Sequence, residues 1–121
     1  MINAVQIKGS KVVILSTEGA FESNFKKDIW KTEVFQDRIL VLVKFSTIYG
    51  NRNIFCLNER GDVLWQIQDS DTYRAGLPKS DSPFTGIRIT DDGKIRVSNW
   101  DSHGYEVNIE TGRLSDARWT K

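Results

Sequence analysis

Two side chains in this sequence have chemistry suited to catalysis: a single histidine and a single cysteine. His103 closely follows Asp101, and an imidazole oriented by a carboxylate is a common general base. Near neighbours on a turn rarely face each other, however, so this spacing favours an exposed loop histidine. Cys56 lies in a run of alternating apolar residues, which favours a buried thiol over a nucleophile. We therefore predict no catalytic residue and no enzymatic activity.

Metal ligands are equally sparse. One histidine and one cysteine cannot build a zinc site within one chain. Acidic segments at 69–71 and 91–93 contain oxygen ligands that suit calcium, but neither matches a calcium-binding loop that ends in glutamate. Aspartate is also frequent in turns, because its side chain bonds to the nearby backbone. The sequence therefore predicts neither a metal nor another cofactor.

A long segment at 68–84 carries residue types that are frequent in protein-binding surfaces. It contains Tyr73 and Arg74, and tyrosine and arginine are enriched among binding hot spots. Structureless stretches of this length are uncommon inside compact domains and are often functional or disordered. The sequence leaves two interpretations open for this segment: a binding loop, or a mobile connector with nothing bound.

Composition bounds the class of protein. The chain has 121 residues, a hydrophobic fraction of 39% and a net charge of +1 from 17 basic and 16 acidic side chains. These values predict a single domain, 1–121, and argue against a nucleic-acid partner, which usually requires a clustered basic excess. No apolar run approaches a signal peptide or a membrane span. We therefore expect a cytoplasmic protein with no membrane or nucleic-acid partner.

Apolar and polar residues alternate along nearly the whole chain, with the period of β-strands. Asp92-Gly93 between two alternating runs predicts a hairpin, because glycine adopts the positive φ that the turn needs. The run that begins at Ile39 is apolar on both faces, which indicates a strand covered on both sides. The segment 18–30 is ambiguous, since its apolar residues recur at helical spacing but its acidic glycine turn resembles the others. A strand and a short helix both remain open there.

The chain contains one pattern twice: an alternating run, a tight turn closed by glycine, and a second run that ends near a tryptophan. Repetition of this kind is typical of proteins built from stacked structural units. Aligning the copies gives two four-stranded units, at 30–67 and 85–119, joined by the long segment described above. Residues 2–25 could form a degenerate third unit.

One strand and turn of this pattern resembles the repeat of quinoprotein-type (PQQ-like) β-propellers. The matching residues are Val107-Asn108-Ile109-Glu110-Thr111-Gly112-Arg113. In that repeat an apolar residue precedes aspartate or asparagine, two variable residues, threonine-glycine and a basic residue, and tryptophan ends the next strand. The segment 57–61, followed by Trp65, is similar to a variant one residue shorter. The resemblance implies blade-like sheets, but it does not imply a quinone cofactor, because many such propellers bind none.

A closed propeller needs at least four blades of about 40 residues each, and this chain is too short for four. It must protect its sheet edges in another way, by packing sheets face to face or by pairing with a second copy. The fold we predict is all-β: antiparallel meander sheets, with blade-like repeats packed as a sandwich or a partial propeller. A homodimer is compatible with this fold.

The two units place two loops in equivalent positions, so we expect these loops to share one rim. The loop 47–53 contains Tyr49 and Arg52, and the equivalent loop contains Trp100 and His103. Trp100 is flanked by polar residues, and we expect it to be exposed. The predicted partner-binding residues are Tyr49, Arg52, Tyr73, Arg74, Trp100 and His103.

These features favour a non-catalytic protein-binding module. By analogy with other small proteins that have no catalytic residues, we expect an immunity protein that binds and neutralises a toxin. No residue of the sequence identifies the toxin. The alternative is a domain for a sugar-like small molecule that stacks on Trp100 and Tyr49. A flat exposed rim would favour the protein partner, whereas a concave pocket lined by these rings would favour the small molecule.

Overall fold

The computed structural model describes residues 1–116, apart from 70–82 and 101–102, and the backbone of residues 117–119. Every helix or strand within these residues is a β-strand, so the predicted all-β fold is confirmed. The strands are β1 (Ile2–Lys8), β2 (Lys11–Ser16), β3 (Gly19–Asn24), β4 (Ile29–Phe35), β5 (Arg38–Val43), β6 (Ile54–Leu57), β7 (Val63–Gln66), β8 (Phe84–Ile89), β9 (Ile95–Asn99), β10 (His103–Val107) and β11 (Leu114–Trp119).

The strands form three antiparallel meander sheets, in which consecutive strands are neighbours. Sheet 1 contains β1–β3, sheet 2 contains β4–β7, and sheet 3 contains β8–β11. Sheets 2 and 3 occupy the chain positions of the two four-stranded units read from the sequence. Sheet 1 lies in the segment 2–25 and has three strands, so this segment forms a shorter sheet of the same kind.

The ambiguous segment 18–30 contains β3 and the start of β4, and no residue in it is helical. Phe21 packs against the core between sheets 1 and 2, and Phe25 and Ile29 are buried in the same core. The backbone N–H groups of Phe25 and Ile29 donate to carbonyl groups of the β1–β2 turn, at 2.9 and 3.0 Å. The helical spacing therefore arises from a strand and the link that follows it.

Sheet 2 lies between the other two sheets and is covered on both faces. Alternate residues of β5 belong to different cores: Ile39, Val41 and Val43 pack toward sheet 1, and Leu40 and Leu42 pack toward sheet 3. All five side chains are at most 1% exposed. The prediction of a strand covered on both sides is confirmed.

The first strands of the sheets lie side by side, since β1 contacts β4 and β4 contacts β8. The chain enters β4 and β8 at one end of the molecule, where β5 and β9 also finish. We call this end the loop rim; it contains residues 25–28, residues 44–53 and Trp100. At the opposite end, which we call the turn rim, are the tight turns at 17–18, 36–37, 59–61, 91–93 and 109–112.

The two copies of the repeat form the same turn with a difference of one residue. The N–H of Asn58 donates to the carbonyl of Asp62 at 3.0 Å, and the N–H of Asn108 donates to that of Arg113 at 2.9 Å. In each copy the closing glycine has a positive φ. The first turn is therefore the shorter variant of the second, as the resemblance implies.

Trp65 joins sheet 2 to sheet 3 through the second of these turns. Its indole Nε1 donates to the carbonyl of Ile109 at 2.7 Å, and its ring covers Gly112. The guanidinium of Arg38 donates to the same carbonyl at 2.7 Å and pairs with the Glu110 carboxylate at 3.1 Å. This copy of the repeat is thus a joint between sheets 2 and 3, in which Trp65 packs on the glycine turn, whereas Gly61 of the shorter turn lies against Glu22 and Ile14 of sheet 1.

The shorter turn packs against sheet 1 through charged groups. Arg60 pairs with Glu18 at 3.1 Å, and Glu59 pairs with the amino group of Met1 at 2.6 Å. The hydrogen bonds from Arg60 lower the pKa of the Glu18 carboxyl. Exposed pairs of this kind contribute little to stability. Burial of apolar side chains in the core between sheets 1 and 2 therefore contributes most of the stability of their packing.

Candidate functional site

An apolar groove lies at the loop rim, between sheets 2 and 3. It has a volume of about 290 Å³ and is lined by Trp30, Phe45, Pro83, Thr85 and Trp100. Four strand ends position these residues: the starts of β4 and β8 and the ends of β5 and β9. Two backbone hydrogen bonds tie these ends together, from Lys44 N to Asp28 O at 2.8 Å and from Trp100 N to Pro83 O at 2.9 Å.

Two β-bulges supply opposite walls of the groove. The pairing of β4 with β5 shifts register between Ile29 and Lys31, which leaves Trp30 as the extra residue. The pairing of β8 with β9 shifts between Phe84 and Gly86, which leaves Thr85 as the extra residue. A bulge turns its extra side chain away from the regular alternation. The equivalent bulges therefore bring one residue of each strand to the same groove.

The groove exposes its aromatic rings to solvent. Trp100 is 74% exposed, Trp30 48% and Phe45 38%, whereas Pro83 is buried. The expectation that Trp100 is exposed is confirmed. A contiguous apolar surface with a polar surround is typical of an interaction site, whereas scattered apolar side chains carry no such meaning.

Three lysines lie close in sequence to residues of the groove. Lys26 and Lys27 lie just before β4, Lys44 precedes Phe45, and all three lysines are exposed. Within the part of the chain that the structure describes, none of these lysines forms an ion pair within 4.0 Å. Asp28, which follows Lys27, carries the carboxylate in the segment 25–28. The described segments 25–28 and 44–53 beside the groove therefore carry more basic than acidic side chains.

Tyr49 and Arg52 do not line the groove, because their side chains bond within the fold. The Tyr49 hydroxyl donates to the carbonyl of Phe25 at 2.7 Å, and its ring packs edge-on against Phe55 with centroids 5.0 Å apart. The Arg52 guanidinium donates to the carbonyl of Ile67 at 2.9 Å. Both residues therefore fix the shape of the loop 44–53 from within.

The remaining predicted residues have different positions. Trp100 lines the groove, and His103 begins β10, where its backbone N–H donates to Oδ1 of Asn99 at 3.2 Å. Tyr73 and Arg74 lie outside the described residues, as does Asp101, the carboxylate considered above as a possible but disfavoured partner of the histidine. The structure thus brings Trp100 to one surface with Trp30 and Phe45, two residues that sequence reasoning missed. Their signal in the sequence is weak, because each occurs at the end of an ordinary alternating strand.

Cys56 has the environment expected of a packing residue. Its side chain is fully buried in the core between sheets 2 and 3. Burial raises the pKa of the Cys56 thiol to about 11, so the nucleophilic thiolate is scarce at neutral pH. Among the described residues, no group of three potential metal ligands comes together. No described helix is long and apolar enough to cross a membrane.

The raised pKa of Cys56 predicts a loss of stability at alkaline pH. The folded state favours the protonated thiol, so this contribution is present below the unfolded pKa of about 8.5 and is lost as pH rises through 11. We expect the free energy of unfolding to fall by about 3 kcal/mol more between pH 8 and pH 11 in the wild type than in Cys56→Ala. Urea denaturation at both pH values measures this difference. Parallel pH dependences in the two proteins would contradict it.

The fold and the groove define a class: an all-β protein of blade-like antiparallel sheets with an apolar aromatic groove at its loop rim. Residues 2–119 match the profile of the family described as Domain of unknown function (DUF7957), and the chain belongs to this family. No curated protein sequence matches the chain.

Solved structures share the fold. The crystal structure of BamB from Moraxella catarrhalis, a PQQ-like β-propeller, matches 95% of this chain with a TM-score of 0.62 and 16% identity. The crystal structure of the computationally designed Ika8 protein matches 99% of this chain with a TM-score of 0.58 and 11% identity. The chain spans 34% of the BamB structure and 37% of the Ika8 structure. At these identities the likeness shows a blade-like β fold and nothing about function.

Proposed function

We propose that the protein is a non-catalytic protein-binding module whose loop rim holds an apolar segment of a partner. One observation carries the proposal: Trp30, Phe45 and Trp100 remain exposed in one concave surface. Tryptophan is strongly enriched among binding hot spots, where its ring fills a desolvated pocket. A partner that covers the groove removes these rings from water, which stabilises the complex.

A sugar-like ligand fits the groove less well. Sugar hydroxyls need several polar groups at fixed positions, but the described lining has only the Thr85 hydroxyl and the two indole N–H groups as polar side-chain groups. The volume, about 290 Å³, is at the lower limit of small-molecule sites, which enclose about 300–1,000 Å³. An apolar side chain of a protein needs neither more polar groups nor more volume. The small-molecule function is therefore the second candidate.

Neutralisation of a protein toxin is the role we propose within this class. Such a role requires a stable complex that covers the target and no chemistry by the binding protein itself. It predicts that the partner inhibits growth of a bacterial host when expressed alone. It also predicts that co-expression of this chain restores growth.

The test compares the wild-type chain with Trp30→Ala/Trp100→Ala and with a matched control. The control, Val63→Ala/Leu64→Ala, removes two exposed apolar side chains, 52% and 44% exposed, from β7, outside the groove. We expect the wild type and the control to recover the same stoichiometric protein from a native-host lysate. We expect the groove variant to bind that protein about 30-fold more weakly, or worse, because a hot-spot residue contributes about 2 kcal/mol or more.

Two results would overturn the proposal. Equal binding by all three proteins would show that the groove is not the recognition surface. Recovery of no partner by the wild type, with light scattering showing a monomer, would remove the binding function itself. A homodimer that dissociates in the groove variant would identify a second copy of the chain as the occupant.

A further inference from the structure

We infer that the segment held by the groove is acidic: one or two apolar or aromatic side chains enter the groove, and flanking aspartate or glutamate residues face the lysines beside the groove. This inference rests on the proposed function and deepens it by naming the chemistry of the partner. The juxtaposition that carries it is the apolar groove lined by Trp30, Phe45 and Trp100 beside Lys26, Lys27 and Lys44.

The volume and apolar lining of the groove determine which side chains of the partner can enter it. About 290 Å³ of nearly apolar volume accommodates one or two large side chains and is too small to cover a whole helix or domain. Aromatic and aliphatic anchors gain the most from such a recess, because they exchange water for ring contacts on several sides. The partner therefore contributes a short segment, with its other contacts outside the groove.

The lysines specify the flanks of that segment. Each has an exposed ammonium group, and within the described residues none has a carboxylate within ion-pair distance. On the loop rim the described charges include these three lysines and Arg52, opposed by Asp28 and by Asp69, whose carboxylate accepts a hydrogen bond from the Asn51 side chain at 3.4 Å. Charges at the edge of an interface act mainly on association rate and orientation, and their effect falls with added salt.

The opposite end of the molecule has the complementary bias. Each of the turns that define the turn rim carries at least one carboxylate, including Asp37 and the pair Asp91 and Asp92. Three other carboxylates of these turns, those of Glu18, Glu59 and Glu110, are paired with Arg60, the amino group of Met1 and Arg38. An acidic segment is thus attracted to the lysines beside the groove, whereas Asp37, Asp91 and Asp92 oppose its approach to the turn rim, and this difference orients the complex.

An anionic lipid surface would also attract lysines and tryptophans, but the shape of the site favours a peptide. A membrane binds side chains that project from a convex surface and enter the headgroup layer. Here the aromatic rings line a groove between two sheets together with the buried Pro83, so they surround space for a partner's side chain. The recess receives a side chain from a partner.

The experiment selects ligands from a random peptide library displayed on phage, with the full chain as bait. Lys26→Asn/Lys27→Gln/Lys44→Gln removes the lysines; asparagine suits position 26 because its φ is 63°, in the left-handed region. Arg88→Gln/Lys94→Gln/Arg113→Gln is the matched control, which changes the net charge equally at exposed positions outside the groove lining. Circular dichroism verifies that each variant is folded.

We expect the wild type to enrich peptides in which aspartate or glutamate flanks phenylalanine, tryptophan or leucine. A synthetic peptide of the enriched sequence should bind the lysine variant about 10-fold more weakly and the control within about 2-fold, with an affinity that falls as sodium chloride rises. Enrichment of neutral or basic apolar peptides that need the tryptophans would overturn the acidic inference alone. No enrichment over Trp30→Ala/Trp100→Ala would overturn the proposed function as well. Lysine-dependent sedimentation with phosphatidylserine vesicles, without peptide enrichment, would replace the peptide with a lipid surface.

Discussion

Gly112→Ala is expected to destabilise the protein by about 3 kcal/mol, because the new methyl group would collide with Trp65. A Cβ at this position would lie 2.5 Å from Cε3 and 2.8 Å from Cδ2 of the indole ring. The ring cannot retreat easily, since its Nε1 is bonded to the carbonyl of Ile109 at 2.7 Å. Overpacking of this kind costs about 1–3 kcal/mol, and the left-handed φ of 75° adds about 1 kcal/mol for a residue with a Cβ.

Gly93→Ala separates these two contributions. Gly93 has a φ of 79°, nearly the same as Gly112, but nothing lies within 4 Å of a Cβ at that position. The variant therefore retains the backbone strain without the collision, and we expect a loss of about 1 kcal/mol. Urea denaturation followed by circular dichroism measures both variants on one scale.

A double-mutant cycle tests the contact itself. Trp65→Ala alone should cost about 3–5 kcal/mol, because it removes a buried ring and leaves the Ile109 carbonyl with one donor fewer. With the ring gone, adding Gly112→Ala should cost only the backbone strain, about 1 kcal/mol. Equal costs of Gly112→Ala in both backgrounds would show that the joint between sheets 2 and 3 does not depend on this contact.

Much of the fold was predictable from the sequence because it depends on short-range patterns. The alternation at Ile39 to Val43 identifies a strand between two cores, since only such a strand has apolar residues on both faces. The asparagine and glycine of each repeat turn satisfy local backbone groups, so their spacing fixes the turn wherever it occurs.

The groove was not predictable for a physical reason. Trp30 and Thr85 reach it through β-bulges, and a bulge depends on how two strands pair and not on the residue types of either. Tyr49 and Arg52 have the residue types of an interface, but residue type does not reveal that the fold itself uses their polar groups. Solvent exposure distinguishes the groove residues from Tyr49 and Arg52, and exposure is known only once the chain is folded.

The burial of Asn53 is another feature that could not be predicted from the sequence, because asparagine is usually exposed. It lies in the loop 44–53, yet its side chain is 0% exposed. Its amide nitrogen donates to the carbonyls of Val43 and Phe84, both at 2.9 Å, and its Oδ1 accepts from the N–H of Phe84 at 2.9 Å. The amide thus pairs with the first residue of β8 as a neighbouring strand would, and it fixes sheet 3 to sheet 2 beside the groove.

Asn53→Ala is expected to destabilise the protein by about 3–4 kcal/mol. The change leaves both backbone groups of Phe84 and one carbonyl bond of Val43 without a partner, in a site that is closed to water. Each unsatisfied buried group costs about 1–3 kcal/mol. Asn24→Ala is the control: its Oδ1 accepts one bond, from Lys26 N at 2.8 Å, at an exposed site, and its loss should cost about 1 kcal/mol or less.

The pH dependence of Asn53→Asp tests whether the side chain at position 53 lies between the carbonyls of Val43 and Phe84. A carboxylate at this site would face two carbonyl oxygens, so burial and repulsion should raise its pKa above the usual value of about 4. A raised pKa in the folded state means that stability is greatest below pH 4 and falls as pH rises through the folded pKa. Denaturation of Asn53→Asp in urea between pH 3 and pH 8 should show that fall relative to the wild type. A variant whose stability tracks the wild type across this range would show that the amide is not held between the two carbonyls, and the joint beside the groove would need another explanation.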